Sequence, residues 1–380
     1  MLCWFLFVGI NQFPFPVNGE YSDYAISHYP NLLYTKDSIT TWHQLPLWSN
    51  AILSGYPYMA DPLSSIWYPP YWLAIALPAP WGLNLLTILH LVLGALGMVY
   101  FFRLMGVSEI PAVAGAIVFL LMPKIIAHLG AGHITLVWAV ALTPWLLVFE
   151  MRGRKASGVF QKIFLPGLFS GLVILADVRW AAFCWVLWWC YGLFSKDDKR
   201  NGSIWINAFW KGLFTKFKQS IIGLFFASPL LLPLLQFIQL STRKMMSSAD
   251  TLTLSLPPGN LFGLIFPNLG GSAEWMTYFG ALPILLFISL CASRTGWKMT
   301  RFWLIVFFIS IIFSLGSYIP GIQIFASLPG FDLLRVPPRA LFLAGISLSV
   351  VTAIGLEEFQ HSKSIKTEKG MRLILSGSIL

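Results

Sequence analysis

Long apolar runs follow one another along this chain, separated only by short polar breaks. That succession constrains the fold more than any motif does. No single soluble core can take up so much apolar surface, so lipid must be the solvent for much of the chain. In hydrocarbon every backbone N–H and C=O needs an internal partner, which leaves helices or a closed barrel. The runs are long and lack strand-like alternation, so helices are expected. Composition agrees: 57% of residues are hydrophobic and 11% charged, against about 25% charged in a soluble domain.

Candidate spans fall at 1–15, 81–104, 111–127, 134–150, 163–176, 180–194, 220–240, 278–292, 302–317 and 340–356. The first is shorter than the ~20 residues needed to span, and it lacks the basic start and cleavage site of a signal peptide. It reads as the end of a first span. An apolar run begins at Arg372 and stops at Leu380. The expectation is therefore an all-α, polytopic transmembrane helix bundle of about ten spans, some partial, in one domain over 1–380 and cut short at both ends. Segment 67–77 is broken by Pro69 and Pro70 and reads as interfacial or re-entrant.

The net charge is +10. Nucleic acid is not the reason, because most of the basic residues collect in one set of loops. That set holds Arg103; Arg152, Arg154, Lys155 and Lys162; Lys196, Lys199, Arg200, Lys211, Lys216 and Lys218; Arg294, Lys298 and Arg301; and Lys363, Lys366, Lys369 and Arg372. By the positive-inside rule this side is cytoplasmic. The remaining loops, 17–80, 241–277 and 318–339, then face outward. The four cysteines lie in or beside apolar runs without metal-type spacing and read as small hydrophobes.

The outward segment 17–80 is long for a loop and is expected to be functional. It holds Glu20, Asp23, His28, Asp37, His43 and Asp61 among several tryptophans. The aromatics suit interfacial helices in the headgroup zone.

A family pattern lies across these residues: Tyr21-Ser22-Asp23-Tyr24, Gln44-Leu45-Pro46-Leu47-Trp48-Ser49, Ser54-Gly55-Tyr56-Pro57, Ala60-Asp61-Pro62 and Trp67-Tyr68-Pro69-Pro70. It continues, more weakly, in Leu89-His90-Leu91, Gly132-His133-Ile134, Pro144-Trp145-Leu146, Tyr278-Phe279-Gly280 and Arg335-Val336-Pro337-Pro338-Arg339. Over nearly its whole length the chain resembles YfhO-like membrane proteins of the GT-C glycosyltransferase superfamily. The resemblance implies a hexosyltransferase of the cell envelope. It would take a sugar from a polyprenyl-phosphate donor to a lipid, glycan or protein acceptor outside a bacterial or archaeal cytoplasmic membrane. It also implies that Asp23, in the first outer loop, is the base or the ligand of a divalent cation such as Mg or Mn. A large C-terminal portion common in the group is absent, and no second acid adjoins Asp23.

Sugar transfer from a lipid phosphate needs a base, cations for the leaving phosphate and a groove for the isoprenoid. Asp23 is the catalytic candidate; by spacing alone it reads equally as a solvated loop or capping aspartate. Glu20, Asp61 and Glu274 are possible second acids, with Asp61 also suited to a turn before Pro62. Lys124, Arg179, Arg335 and Arg339 are candidates for the donor phosphate, the arginines through bidentate contact. Each has a plainer alternative: a snorkelling Lys124, an ion pair of Arg179 with Asp177, headgroup contacts for the two others. His28, His128 and His133 are further polar candidates; the spacing of the last two does not suit a metal. His90, in mid-span, reads as a packing histidine. No P-loop or Rossmann fingerprint occurs. Two other classes stay open. A secondary transporter or carrier-lipid flippase would show uptake without a glycosidic product, and a non-catalytic assembly factor would tolerate loss of every acid in the first outer loop.

Overall fold

A computed structural model describes residues 22–52, 54–79, 81–194, 202–241, 247–267, 269–292, 294–328 and 330–361. Glu20, the partial span 1–15, the run from Arg372, Lys196, Lys199, Arg200, Arg243, Lys244 and the basic tail residues lie outside the described residues. Among the described residues the fold is helical, and the one β-type feature is an isolated bridge between Ser49 and Tyr56.

The principal helices are α1 (Tyr29–Thr40), α2 (Tyr71–Ala76), α3 (Trp81–Leu104), α4 (Glu109–Leu120), α5 (Pro123–Gly130), α6 (Ile134–Lys155), α7 (Leu165–Ala176), α8 (Val178–Phe194), α9 (Gly202–Gln239), α10 (Ala281–Ala292), α11 (Arg294–Ser314) and α12 (Leu341–His361). One-turn π-helices at Tyr24–His28 and Phe160–Phe164 lead into α1 and α7. Among the described residues five segments are long and apolar enough to cross a membrane: Trp81–Leu104, Glu109–Gly130, Ile134–Lys155, Ile206–Gln239 and Pro337–Gln360. Phe160–Ala176, Val178–Phe194 and Thr300–Ser314 are apolar but shorter. This is a membrane-embedded helical protein.

Three expected boundaries are corrected. The span at 111–127 is two helices, because Pro123 has no N–H to donate and disfavours helix in the residue before it. The span at 220–240 begins eighteen residues earlier, at Gly202. Its first half carries no proline and the helix runs through it unbroken, so Lys211, Lys216 and Lys218 lie on a helix and not in a loop. The span at 302–317 likewise starts at Arg294.

The chain divides into two compact units: Met1–Leu93, His128–Trp185 and Asp198–Ser247, then Gly94–Ala127, Val186–Asp197 and Ser248–Leu380. In the first unit α7 packs between α6 and α9. Gly167, Gly171 and Gly223 permit the α7–α9 approach, since a Cβ on Gly171 would lie 2.7 Å from the Gly223 carbonyl. Trp180 Nε1 donates to Thr143 Oγ1 at 2.9 Å, and Trp138 Nε1 to Thr87 Oγ1 at 3.0 Å. His90 is a packing histidine. Its Nδ1 sits 2.7 Å from the Leu86 carbonyl, which can only accept, so Nδ1 carries the proton and Nε2 accepts from Tyr68 at 2.5 Å. In the second unit α12 is the central helix, packed on α4, α10 and α11. Ser349 Oγ donates to the Gly115 carbonyl at 2.6 Å, where any Cβ on Gly115 would press on Phe102 and Ala353.

Candidate functional site

Asp23 is placed by the corner between α5 and α6. Its backbone N–H donates to the Ala131 carbonyl at 3.1 Å. The next residue of that corner, Gly132, has φ +81°, and a Cβ there would be driven into Tyr24 N and lie 2.9 Å from Asp23 N. Glycine is thus required twice, for the left-handed backbone and for the close approach. Tyr24 OH donates to Asn84 Oδ1 on α3 at 2.9 Å and fixes the other side of the segment. Gly132→Ala is expected to cost about 2 kcal/mol or more, from the φ penalty plus the collision. Equilibrium unfolding in detergent micelles measures it; a cost near zero would show that the corner is not tight.

The Asp23 side chain is 30% exposed. Its Oδ2 lies 3.4 Å from His133 Nε2 and 3.9 Å from Arg179 Nη1. His133 is the residue just before α6, and its Nδ1 lies 2.8 Å from His128 Nδ1. Arg179 is held by Asp177: Nε lies 3.1 and 3.0 Å from the two carboxylate oxygens and Nη2 is 2.6 Å from Oδ2. Asp177 is buried and caps α8, accepting from the N–H groups of Arg179 at 2.8 Å and Trp180 at 3.3 Å. Thr135 Oγ1 donates to Asp177 Oδ2 at 3.0 Å, and Arg179 Nη2 is 3.3 Å from that hydroxyl. The guanidinium therefore stands between two carboxylates. The structural ion pair foreseen for Asp177 and Arg179 is present, and Nη1 is the part of Arg179 turned toward Asp23.

His28 is 3% exposed, and its Nε2 has no hydrogen-bond partner among the described residues. Burial, then the nearby Arg179 charge, holds its pKa down to about 3, against the opposing pull of Asp177. An unfolded His28 would titrate near 6.5. Between those values the unfolded chain binds a proton that the folded chain refuses. Stability is unaffected above pH 6.5 and falls as pH drops below it, by about 2 kcal/mol at pH 5. His28→Gln removes that term, so the variant's loss of stability between pH 7 and pH 5 should be smaller than wild type's by that amount in denaturant titrations.

The remaining candidates lie elsewhere. Asp61 serves the turn: its Oδ1 accepts from Leu63 N at 2.9 Å and its Oδ2 is 3.5 Å from Tyr56 OH. Lys124, Glu274 and Arg339 form a cluster of their own in the second unit. Lys124 is fully buried, which excludes the snorkelling alternative. Its Nζ donates to the Glu274 carbonyl at 2.8 Å, lies 3.8 Å from Glu274 Oε2 and sits 5.2 Å over the Phe342 ring. Arg339 Nε is 3.1 Å from Glu274 Oε1. Glu274, expected as a second acid, is the counter-ion of two buried cations. Arg335 Nε instead donates to the Asp250 carbonyl at 3.3 Å.

Sequence reasoning missed Thr135, Asn84 and the role of Gly132. The glycine alone was legible, as a residue between two apolar runs where a helix must end. A divalent cation does not fit the groups beside Asp23. Mg and Mn favour several oxygen ligands, whereas among the described residues one carboxylate stands here between an imidazole and a guanidinium that already supplies positive charge.

Fold and site together define a membrane-embedded helical protein with an acid–histidine–arginine cluster at one end of its first unit. No family model, curated protein or solved structure matches the chain.

Proposed function

We propose that the chain is a polytopic glycosyltransferase of GT-C type, with about ten spans, acting at the extracytoplasmic face of a bacterial or archaeal cytoplasmic membrane. It transfers a hexose-like sugar from a polyprenyl-phosphate donor to an acceptor hydroxyl. The observation that carries this reading is the half-exposed Asp23 carboxylate held beside His133 and Arg179.

In this reading Asp23 takes the proton as the acceptor oxygen bonds to the anomeric carbon. The bond from that carbon to the phosphate oxygen breaks, and the electron pair leaves with polyprenyl phosphate. His133 orients the carboxylate, and Arg179 Nη1 is the nearest cation to it. Within the second unit, the other cations expected for a phosphate, Lys124 and Arg339, are gathered around Glu274. The charges along α6 support this side of the membrane. His133 stands just before its start, while Arg152, Arg154 and Lys155 occupy its last turn about 33 Å away. Basic ends favour the cytoplasm, which leaves the Asp23 end outside.

The test is transfer of labelled sugar from a synthetic polyprenyl-phosphate donor by wild type and Asp23→Asn in liposomes. Undiminished transfer by a folded, inserted variant removes the mechanism.

A further inference from the structure

Helix α9 is 38 residues long, about 57 Å at 1.5 Å per residue. Ile206, Trp210, Phe214, Phe217 and Ile221 are all exposed on it. Their spacing of three and four residues puts them on one stripe. The stripe continues through exposed apolar residues to Leu235. From 206 to 235 it measures about 44 Å, more than the ~30 Å of hydrocarbon and close to the ~40–45 Å of a bilayer with its headgroups. When the later half of α9 fills the hydrocarbon, the one or two turns just before it lie at headgroup depth.

Among the described residues the exposed charges there are positive. Lys211 and Lys218 flank the stripe, and Lys218 Nζ lies 4.5 Å over the Phe214 ring. The π-helical turn Phe160–Phe164 packs on both α6 and α9 and brings exposed Lys162. Gln219 Nε2 ties that turn to α9 by donating to the Lys162 carbonyl at 2.8 Å. The last turn of α6 adds exposed Arg152 and Lys155. Among the described residues the carboxylate at this end is Glu150, which is buried and already paired with Lys216 and, at 3.4 Å, with Arg154.

We propose that this end of the first unit binds the headgroups of anionic phospholipids in preference to zwitterionic ones. Aromatic side chains at headgroup depth among the exposed lysines Lys162, Lys211 and Lys218 are the chemistry that such lipids meet. A second copy of the chain is a poor occupant, because two-fold pairing would set this cationic face against itself. Nothing in the proposal depends on sugar transfer.

The experiment places the full chain in nanodiscs of phosphatidylcholine with phosphatidylglycerol and counts the lipids that survive mild delipidation by native mass spectrometry. Wild type should retain phosphatidylglycerol roughly tenfold over phosphatidylcholine, with the preference shrinking as salt is raised. K162Q/K211Q/K218Q should retain the two lipids equally. If that variant inserts poorly, the salt series on wild type decides. A preference that is absent, or that salt does not touch, overturns the proposal. So does a dimer that cross-links through Phe214→Cys in these nanodiscs.

Discussion

Asp23→Asn is expected to lower sugar transfer by about 10²- to 10⁴-fold, the usual contribution of a general base. Stability should stay within about 1 kcal/mol of wild type, because exposed ion pairs contribute little. Asparagine keeps the shape of the side chain and can still face His133 and Arg179, but it cannot take up the acceptor's proton. The two contacts of the carboxylate are long, 3.4 and 3.9 Å, and the side chain is partly open to solvent. It is therefore not what holds α5, α6 and α8 in place. Asp177 ties α6 to α8, being buried, bonded to the first turn of α8 and accepting from Thr135 on α6. Paired measurements of labelled-sugar transfer and of unfolding in micelles separate the two roles. A variant that loses rate and fold together would assign Asp23 to structure instead.

Lys216→Met alone is expected to destabilise the protein by about 3 kcal/mol, because it strands the Glu150 carboxylate in a buried place. Both partners of the pair are nearly inaccessible, with side-chain exposures of 2% and 7%. Arg154, at 3.4 Å, offsets part of the loss but stays partly in solvent. The double variant Glu150→Leu/Lys216→Met should recover most of the stability, since an apolar pair of similar volume needs no counter-charge. Unfolding in mixed micelles of wild type, both single variants and the double variant closes the cycle. A double variant that loses the sum of what the two single variants lose would show that the pair is not coupled.

The apolar runs made the helices legible. Residues 81–104 were delimited as they stand, and 134–150, 163–176 and 180–194 fell inside helices that run on by a few residues. What failed was the reading of lysine. A lysine cluster before an apolar run looks like a loop when only hydropathy is weighed. Lys211, Lys216 and Lys218 are good helix formers, and nothing between them and Ser220 breaks the backbone. The Glu150–Lys216 pair lay hidden for the same reason: its partners stand 66 positions apart and meet only once α9 packs beside α7. The Asp177–Arg179 pair was legible because two residues of separation at a helix start leave few alternatives. The neighbours of Asp23 were half legible. His133 and Arg179 stood out as polar residues at the ends of apolar runs, but Thr135 did not, being one hydroxyl among many in apolar helices.

His133 and Thr135 both belong to the opening turn of α6. One reaches Asp23 and the other reaches Asp177, which in turn grips Arg179. Each residue along a helix rotates the direction of its side chain by about 100°. The whole constellation is therefore indexed to the phase of a single rod. A one-residue insertion or deletion just after Thr135 would swing both gripping side chains away at once, out of phase with the packed body of the helix. Lengthening the far end of α6 would leave that phase untouched, so the two ends of this rod are under unequal constraint in any lineage that keeps the cluster.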